Sequence, residues 1–257
     1  MFYFITGPYL IYRWFLILSA IIPAIFLMIK VYCSDRLERE RPTFLGKLAV
    51  SGILSALIAL VCERIGCFIL DLLVPQTSQL YNILLYFVIV AVSEEGAKFY
   101  MLRRNSWNSP QFNCQYDAVV YATFVSLGFA LWENISYVLH YGFTTALVRA
   151  VTAIPGHTCF GVFMGLFYGF ARAYAYIGDE KKSKFYRVLS VLVPVLIHGA
   201  YDYIASMGST EGESISSEIY FFVFIAVLFV ASFMLVRKIS SNDRYITIDR
   251  QGELPKY

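Results

Sequence analysis

Residues 80–101 read LYNILLYFVIVAVSEEGAKFYM, an apolar run that ends by enclosing Glu94, Glu95 and Lys98. A bilayer crossing takes about 20 mostly apolar residues. The run has that length, and its apolar residues are continuous rather than alternating, so it reads as a helix and not as a barrel strand. Working outward, six more runs have the same character: 8–30, 47–73, 116–139, 145–175, 186–206 and 218–237. The run over 145–175 is too long for one straight helix, and Pro155-Gly156 predicts a break or kink there.

Composition agrees. The chain has 257 residues, of which 58% are hydrophobic and 15% charged, with a mean hydropathy of +0.61. A soluble domain is roughly 45–50% apolar and about 25% charged. These values exclude a disordered chain, a collagen-like chain, a nucleic-acid module and an ordinary cytosolic enzyme. The expected fold class is all-α, a polytopic membrane helix bundle of about seven transmembrane helices. It forms one integral-membrane domain over 1–257, with a motif-bearing core over 80–206 and a tail over 238–257. The N-terminus has no basic n-region and no small-x-small cleavage site, so it reads as a retained first span. Five cysteines, an odd number without C-x-x-C, predict no disulfide framework.

Seventeen of the 21 Lys and Arg residues fall at 30–47, 102–115, 172–187 and from 237 onward. The alternate connections, 74–79, 140–144 and 207–217, contain none, and the last reads as a flexible polar connector. The positive-inside rule then puts the N-terminus outside and the C-terminus in the cytoplasm. Gly161, Gly165 and Gly169 form a small-xxx-small ridge that lets another helix approach closely.

Ionisable groups inside spans cost roughly 2.5–3.5 kcal/mol each at mid-bilayer, so they are kept where they are paired or used. Here they are concentrated. The third span carries Glu94, Glu95 and Lys98; the fourth carries Glu133; the fifth carries Arg149 and His157; the sixth carries His198 and Asp202. Glu94 with Lys98, and His198 with Asp202, are four residues apart and share a helix face. Adjacent Glu94 and Glu95 cannot both point into one cavity, so one faces the site and the other a second partner. Arg149 and Arg13 read as snorkelling toward the outer interface. Glu63-Arg64 reads as a local pair or an early helix exit.

The chain lacks H-E-x-x-H and G-x-S-x-G, and it has no evident Ser–His or Cys–His pair. Carboxylates with imidazoles suit activation of water by a Glu base, with His groups stabilising an oxyanion. They equally suit a divalent metal such as zinc on ligands drawn from Glu133, His157, His198 and Asp202, with one open water position. Peptide hydrolysis fits either arrangement.

Glu94-Glu95-x-x-Lys98, Phe129-x-x-x-Glu133 and His198-x-x-x-Asp202, in that order on successive spans, resemble the signature motifs of the PrsW intramembrane proteases. That family is grouped with type II CAAX prenyl proteases and bacteriocin-processing membrane proteases, and has a γ-secretase scaffold subunit as a distant relative. The resemblance implies a glutamate-dependent intramembrane endopeptidase of the bacterial plasma membrane. Its implied substrate is a single-span membrane protein, an anti-sigma factor receiving its site-1 cut in envelope-stress signalling. It also implies Glu94 and Glu95 as the essential acidic pair, Lys98 as orienting, Glu133 and His198 as completing the centre and Asp202 as supporting it. His157 resembles a further polar position of the same core. The CAAX relatives have His in place of Glu133 and Asn in place of Asp202, which argues against a prenyl-protein substrate. No nucleic-acid partner is expected. Two other functions compete: an ion-coupled transporter, since intramembrane acids also build proton relays, and a non-catalytic membrane scaffold.

Overall fold

The computed structural model describes residues 2–207 and 215–246. The polar connector over 208–214 and the tail beyond 246 lie outside the described residues. Seven helical stretches are long and apolar enough to cross a membrane: Tyr9–Cys33, Pro42–Leu73, Gln79–Ser106, Gln115–Tyr141, Phe143–Tyr176, Glu180–Met207 and Glu218–Ser241. Among the described residues there is no strand, only a single bridge between Cys114 and Tyr245. The expected all-α bundle is therefore the fold.

In chain order the helices are α1 (Phe2–Cys33), α2 (Pro42–Leu73), α3 (Gln79–Ile83), α4 (Ala91–Ser106), α5 (Gln115–Tyr141), α6 (Phe143–Val151), α7 (Ala153–Tyr176), α8 (Glu180–Met207) and α9 (Ile215–Ser241). Helices α5 and α7 form the centre. Along α5 nearly every residue from Tyr116 to Ala130 is buried. By contrast, α1, α2 and α9 expose long rows of Leu, Ile, Val and Phe, as lipid-facing helices do.

Small residues set how closely these helices approach. The ridge of Gly161, Gly165 and Gly169 packs on α5: a Cβ at Gly165 would sit 2.5 Å from Val119 Cα, and one at Gly161 2.9 Å from Thr123 Cα. A second pair was not foreseen. A Cβ at Gly52 on α2 would lie 2.0 Å from the Val125 carbonyl oxygen, and one at Gly128 on α5 would lie 2.0 Å from that of Ala49. Backbone meets backbone at this crossing, so any side chain there forces α2 and α5 apart.

The fifth span is broken, but not at Pro155-Gly156. The helix ends at Val151 and restarts at Ala153, with Pro155 inside the first turn of α7. Proline disturbs the turn before it: it lacks the N–H that residue 151 would receive, and its ring crowds that carbonyl. Thr152 takes up the slack, its Oγ1 donating to the Val148 carbonyl at 2.8 Å.

The third span has a feature its sequence did not predict. Between α3 and α4, residues Leu84–Val90 form a π-helical segment, where the Ala91 N–H reaches back to the Tyr86 carbonyl. Such widened turns gather at functional sites, and this one directly precedes Glu94.

Carboxylates also gather on the basic side of the bundle, outside the spans. Asp35 and Glu40, in the connection from α1 to α2, are 3% and 6% exposed. Burial, then the charge of Asp243, pushes Asp35 up to about 6. Burial pushes Glu40 up to about 7, against a hydrogen bond from the Tyr121 hydroxyl. Both folded values lie above the unfolded ones, so folding resists ionisation. The stability these groups allow is fully present below the unfolded values of 3.8 and 4.5 and is lost as pH rises through the folded values of about 6 and about 7. Each is worth about 1–3 kcal/mol on full titration. The thermal midpoint of the wild type in detergent should fall between pH 5 and pH 8 by more than that of Asp35→Asn/Glu40→Gln. Parallel pH profiles would contradict this.

Candidate active site

Four spans bring their polar groups to one centre. Lys98, fully buried, sits in its middle. Its Nζ donates to Glu94 Oε2 at 3.1 Å and to Glu95 Oε1 at 2.7 Å, and lies 3.2 Å from His157 Nδ1. The Phe129 ring lies beneath the ammonium, its centroid 3.9 Å away. An ammonium has three N–H groups and no acceptor. All three are thus spoken for, and His157 Nδ1 is an acceptor. The remaining ring nitrogen then carries the proton: His157 Nε2 donates to Glu133 Oε2 at 2.8 Å.

His198 closes the other side. Its Nδ1 is 2.9 Å from Glu95 Oε1, and its Nε2 is 3.3 Å from Asp202 Oδ2 and 3.9 Å from Glu94 Oε2. Phe160 stacks on the imidazole at 4.6 Å and fixes its plane. Every residue assigned to the site from the sequence thus joins one network: Glu94, Glu95, Lys98, Glu133, His157, His198 and Asp202.

A cavity of about 1110 Å³ opens over this network. Glu94, Glu133, His157, His198 and Asp202 line it, whereas Glu95 and Lys98 do not. Glu94 faces the cavity, and Glu95 lies behind it with no exposure. From mid-span the lining runs to Asn82, Ser136 and Ser206, toward the end of the bundle whose connections lack Lys and Arg.

Two residues were misread. Arg149 does not snorkel. It pairs with Glu133 Oε2 at 3.0 Å, donates from Nε to Asn134 Oδ1 at 2.6 Å and covers the Tyr137 ring at 4.0 Å. The bend at Thr152 turns α6 so that its last turn reaches α5. Glu63 lines the cavity, where the sequence suggests only a local pair with Arg64 or an early helix exit. A signal for it existed: Ser55, Ala56 and Ala59 form a buried small-residue stripe on α2, and Glu63 continues that stripe one turn on. Arg13 does lie exposed, within 3.3 Å of the Tyr9 hydroxyl.

Glu94, Glu95 and His157 each offer a ligand atom, all within 4.8 Å of one another. That spacing and donor chemistry suit a divalent cation. The place between them, however, is where Lys98 Nζ lies. A metal would have to displace a fixed positive charge from its own ligands, so the residues as arranged do not fit one. The other proposed ligands are engaged pairwise, His157 with Glu133 and His198 with Asp202.

Comparison with known proteins places this arrangement. Residues 40–233 match the family model described as PrsW family intramembrane metalloprotease. The chain is similar to Protease PrsW of Bacillus subtilis strain 168, 33% identical over 197 residues, covering 74% of this chain and 83% of that protein. It is also similar to Protease PrsW of Clostridioides difficile strain 630, 31% identical over 195 residues, covering 74% and 78%. Protease PrsW of Geobacillus kaustophilus is 30% identical over 189 residues, covering 74% and 79%. No solved structure matches. The family match spans α2 to α9 and encloses every residue of the buried network, and the chain belongs to the PrsW family of intramembrane proteases.

Proposed function

We propose that this protein is a glutamate-dependent endopeptidase that cuts a single-span membrane protein, with Glu94 as general base. One observation carries the reading: Glu94 is the carboxylate held against a buried ammonium while facing the cavity. Peptidase activity and a membrane-protein substrate follow from the family. The roles below are our assignment.

Glu94 takes a proton from a water in the cavity as the water oxygen adds to the scissile carbonyl carbon. The charge formed on the carbonyl oxygen is met by His198 in its doubly protonated form, with Nδ1–H held by the Glu95 carboxylate and Nε2–H beside Asp202 at the cavity. When the tetrahedral intermediate collapses, the C–N bond breaks and Glu94 returns the proton to the leaving amine. Lys98 keeps Glu94 and Glu95 in register. Glu133, gripped by Arg149 and His157, forms the second acidic wall of the cavity. A buried network prepared in this way needs little reorganisation when charge develops. The family's description includes a metal, but Lys98 stands where these residues would hold one, so no step runs through a metal.

For orientation we place the N-terminus outside and the C-terminus in the cytoplasm of a bacterial plasma membrane, on the distribution of Lys and Arg. The cavity then opens outward, and an anti-sigma factor cut near its extracytoplasmic boundary is the substrate we assign. The test is cleavage of a panel of single-span substrates in proteoliposomes, with and without a chelator. We expect cut anti-sigma-type substrates and a rate unchanged by chelation. Loss on chelation with recovery on adding a divalent ion would overturn the metal-free route. Cleavage of other single-span proteins but of no anti-sigma type would overturn the substrate assignment.

A further inference from the structure

A second cavity, of about 500 Å³, lies between α4 and α8. Its lining divides by chemistry. Arg103, Lys184 and Arg187 stand at the basic end of the bundle, whereas Val92, Phe99 and Leu192 line the groove toward mid-span. No carboxylate among the described residues lines it. Among the described residues, the carboxylate that pairs with Arg187 is Glu180, at a loose 3.5 Å and with a side chain 75% exposed. The Nε–H of Arg187 is buried without an acceptor, and so is that of Arg172. Both guanidinium groups flank the Trp107 ring, at 5.5 and 5.6 Å. Arg172 stands outside the groove, but within it the unsatisfied Arg187 donor, with Arg103 and Lys184 lining the same cavity, is short of an anion.

We propose that this groove binds one anionic phospholipid, its phosphate held by Arg103, Lys184 and Arg187 and an acyl chain lying along Val92, Phe99 and Leu192. Charge complementarity and depth decide the occupant. The cations sit where spans meet the interface, and the apolar wall runs from them into hydrocarbon, which is the layout of a headgroup with its chain. A free anion would leave the apolar part unused. The site has a structural consequence. Phe99 follows Lys98, and Val195 in the same groove lies one turn before His198. A lipid seated there braces α4 against α8, the two helices whose separation sets the 2.9 Å contact between Glu95 and His198.

The test is native mass spectrometry on the full chain in detergent, incubated with equal amounts of phosphatidylglycerol and phosphatidylcholine. We expect one phosphatidylglycerol per chain to be retained, and a raised thermal midpoint with that lipid only. Arg103→Gln/Lys184→Gln/Arg187→Gln should lower retention at least about tenfold, since juxtamembrane cations each add measurably to anionic-lipid binding. Leu192→Trp, which fills the groove and leaves all charges in place, should also lower it. Lys47→Gln/Arg237→Gln/Lys238→Gln, changed at exposed basic positions elsewhere, should retain it. Equal retention of the two lipids, full retention by Leu192→Trp, or displacement by millimolar inorganic phosphate would each overturn the proposal.

Discussion

Glu94→Gln is expected to lower the rate of substrate cleavage by about 10²–10⁴-fold, the span over which a positioned general base contributes. Gln keeps the shape of the side chain and an oxygen for Lys98 at the 3.1 Å contact. The charge that takes a proton is lost, but Lys98 keeps Glu95 as its counter-charge at 2.7 Å, so the thermal midpoint should stay near wild type. Glu95→Gln makes the contrast. Glu95 has no exposure, does not line the cavity, and holds both Lys98 and His198. Its loss should reduce stability and activity together. Time courses of cleavage, read beside thermal melts of the same preparations, separate the two. If Glu94→Gln cleaves at the wild-type rate while Glu95→Gln is inert and stable, the base is Glu95 and our assignment fails.

Lys98→Met should be the most damaging single change to the folded protein. Its ammonium balances two adjacent carboxylates in a place closed to water, with 0% exposure for Lys98 and Glu95 and 7% for Glu94. Breaking a buried ion pair from one side costs about 3–5 kcal/mol, because the remaining charge has no partner. His157 Nδ1 would also lose its donor, and with it the tautomer that lets Nε2 reach Glu133. We expect little accumulation in membranes and a sharply lowered thermal midpoint. Lys98→Met/Glu95→Gln removes one of the stranded charges and should recover much of the stability, since neutral replacement of buried charge is often tolerated. It should not recover cleavage, because His198 loses the carboxylate at its Nδ1. A single Lys98→Met protein as stable as wild type would mean that the ammonium is not what holds the network together.

Much of this was legible in the chain itself. Apolar run length gives the seven spans, because a bilayer imposes one length on every crossing helix. The cost of charge in hydrocarbon marks Glu94, Glu95, Lys98, Glu133, His157, His198 and Asp202 as a set, and spacing puts Glu94 with Lys98 and His198 with Asp202. The ridge of Gly161, Gly165 and Gly169 announces a close helix neighbour, which α5 supplies. These readings rest on length, polarity and period within one helix, and the sequence carries all three.

What it does not carry is the phase of one helix against another, which packing alone decides. The Gly52–Gly128 crossing presses α2 onto α5 and brings Glu63 to the cavity rim; the small-residue stripe on α2 marks the face that packs, but which helix that face meets is decided by the crossing. The π-helical segment over Leu84–Val90 turns the start of the third span relative to its end, and Tyr86, Val90 and Glu94 come to line one cavity. Pro155 acts one turn ahead of itself, and the resulting bend carries Arg149 inward to Glu133 rather than outward to the interface. The choice between Glu94 and Glu95 is of the same kind. Both lie within reach of Lys98, and only the placement of α8, with His198 against Glu95, leaves Glu94 to face the cavity.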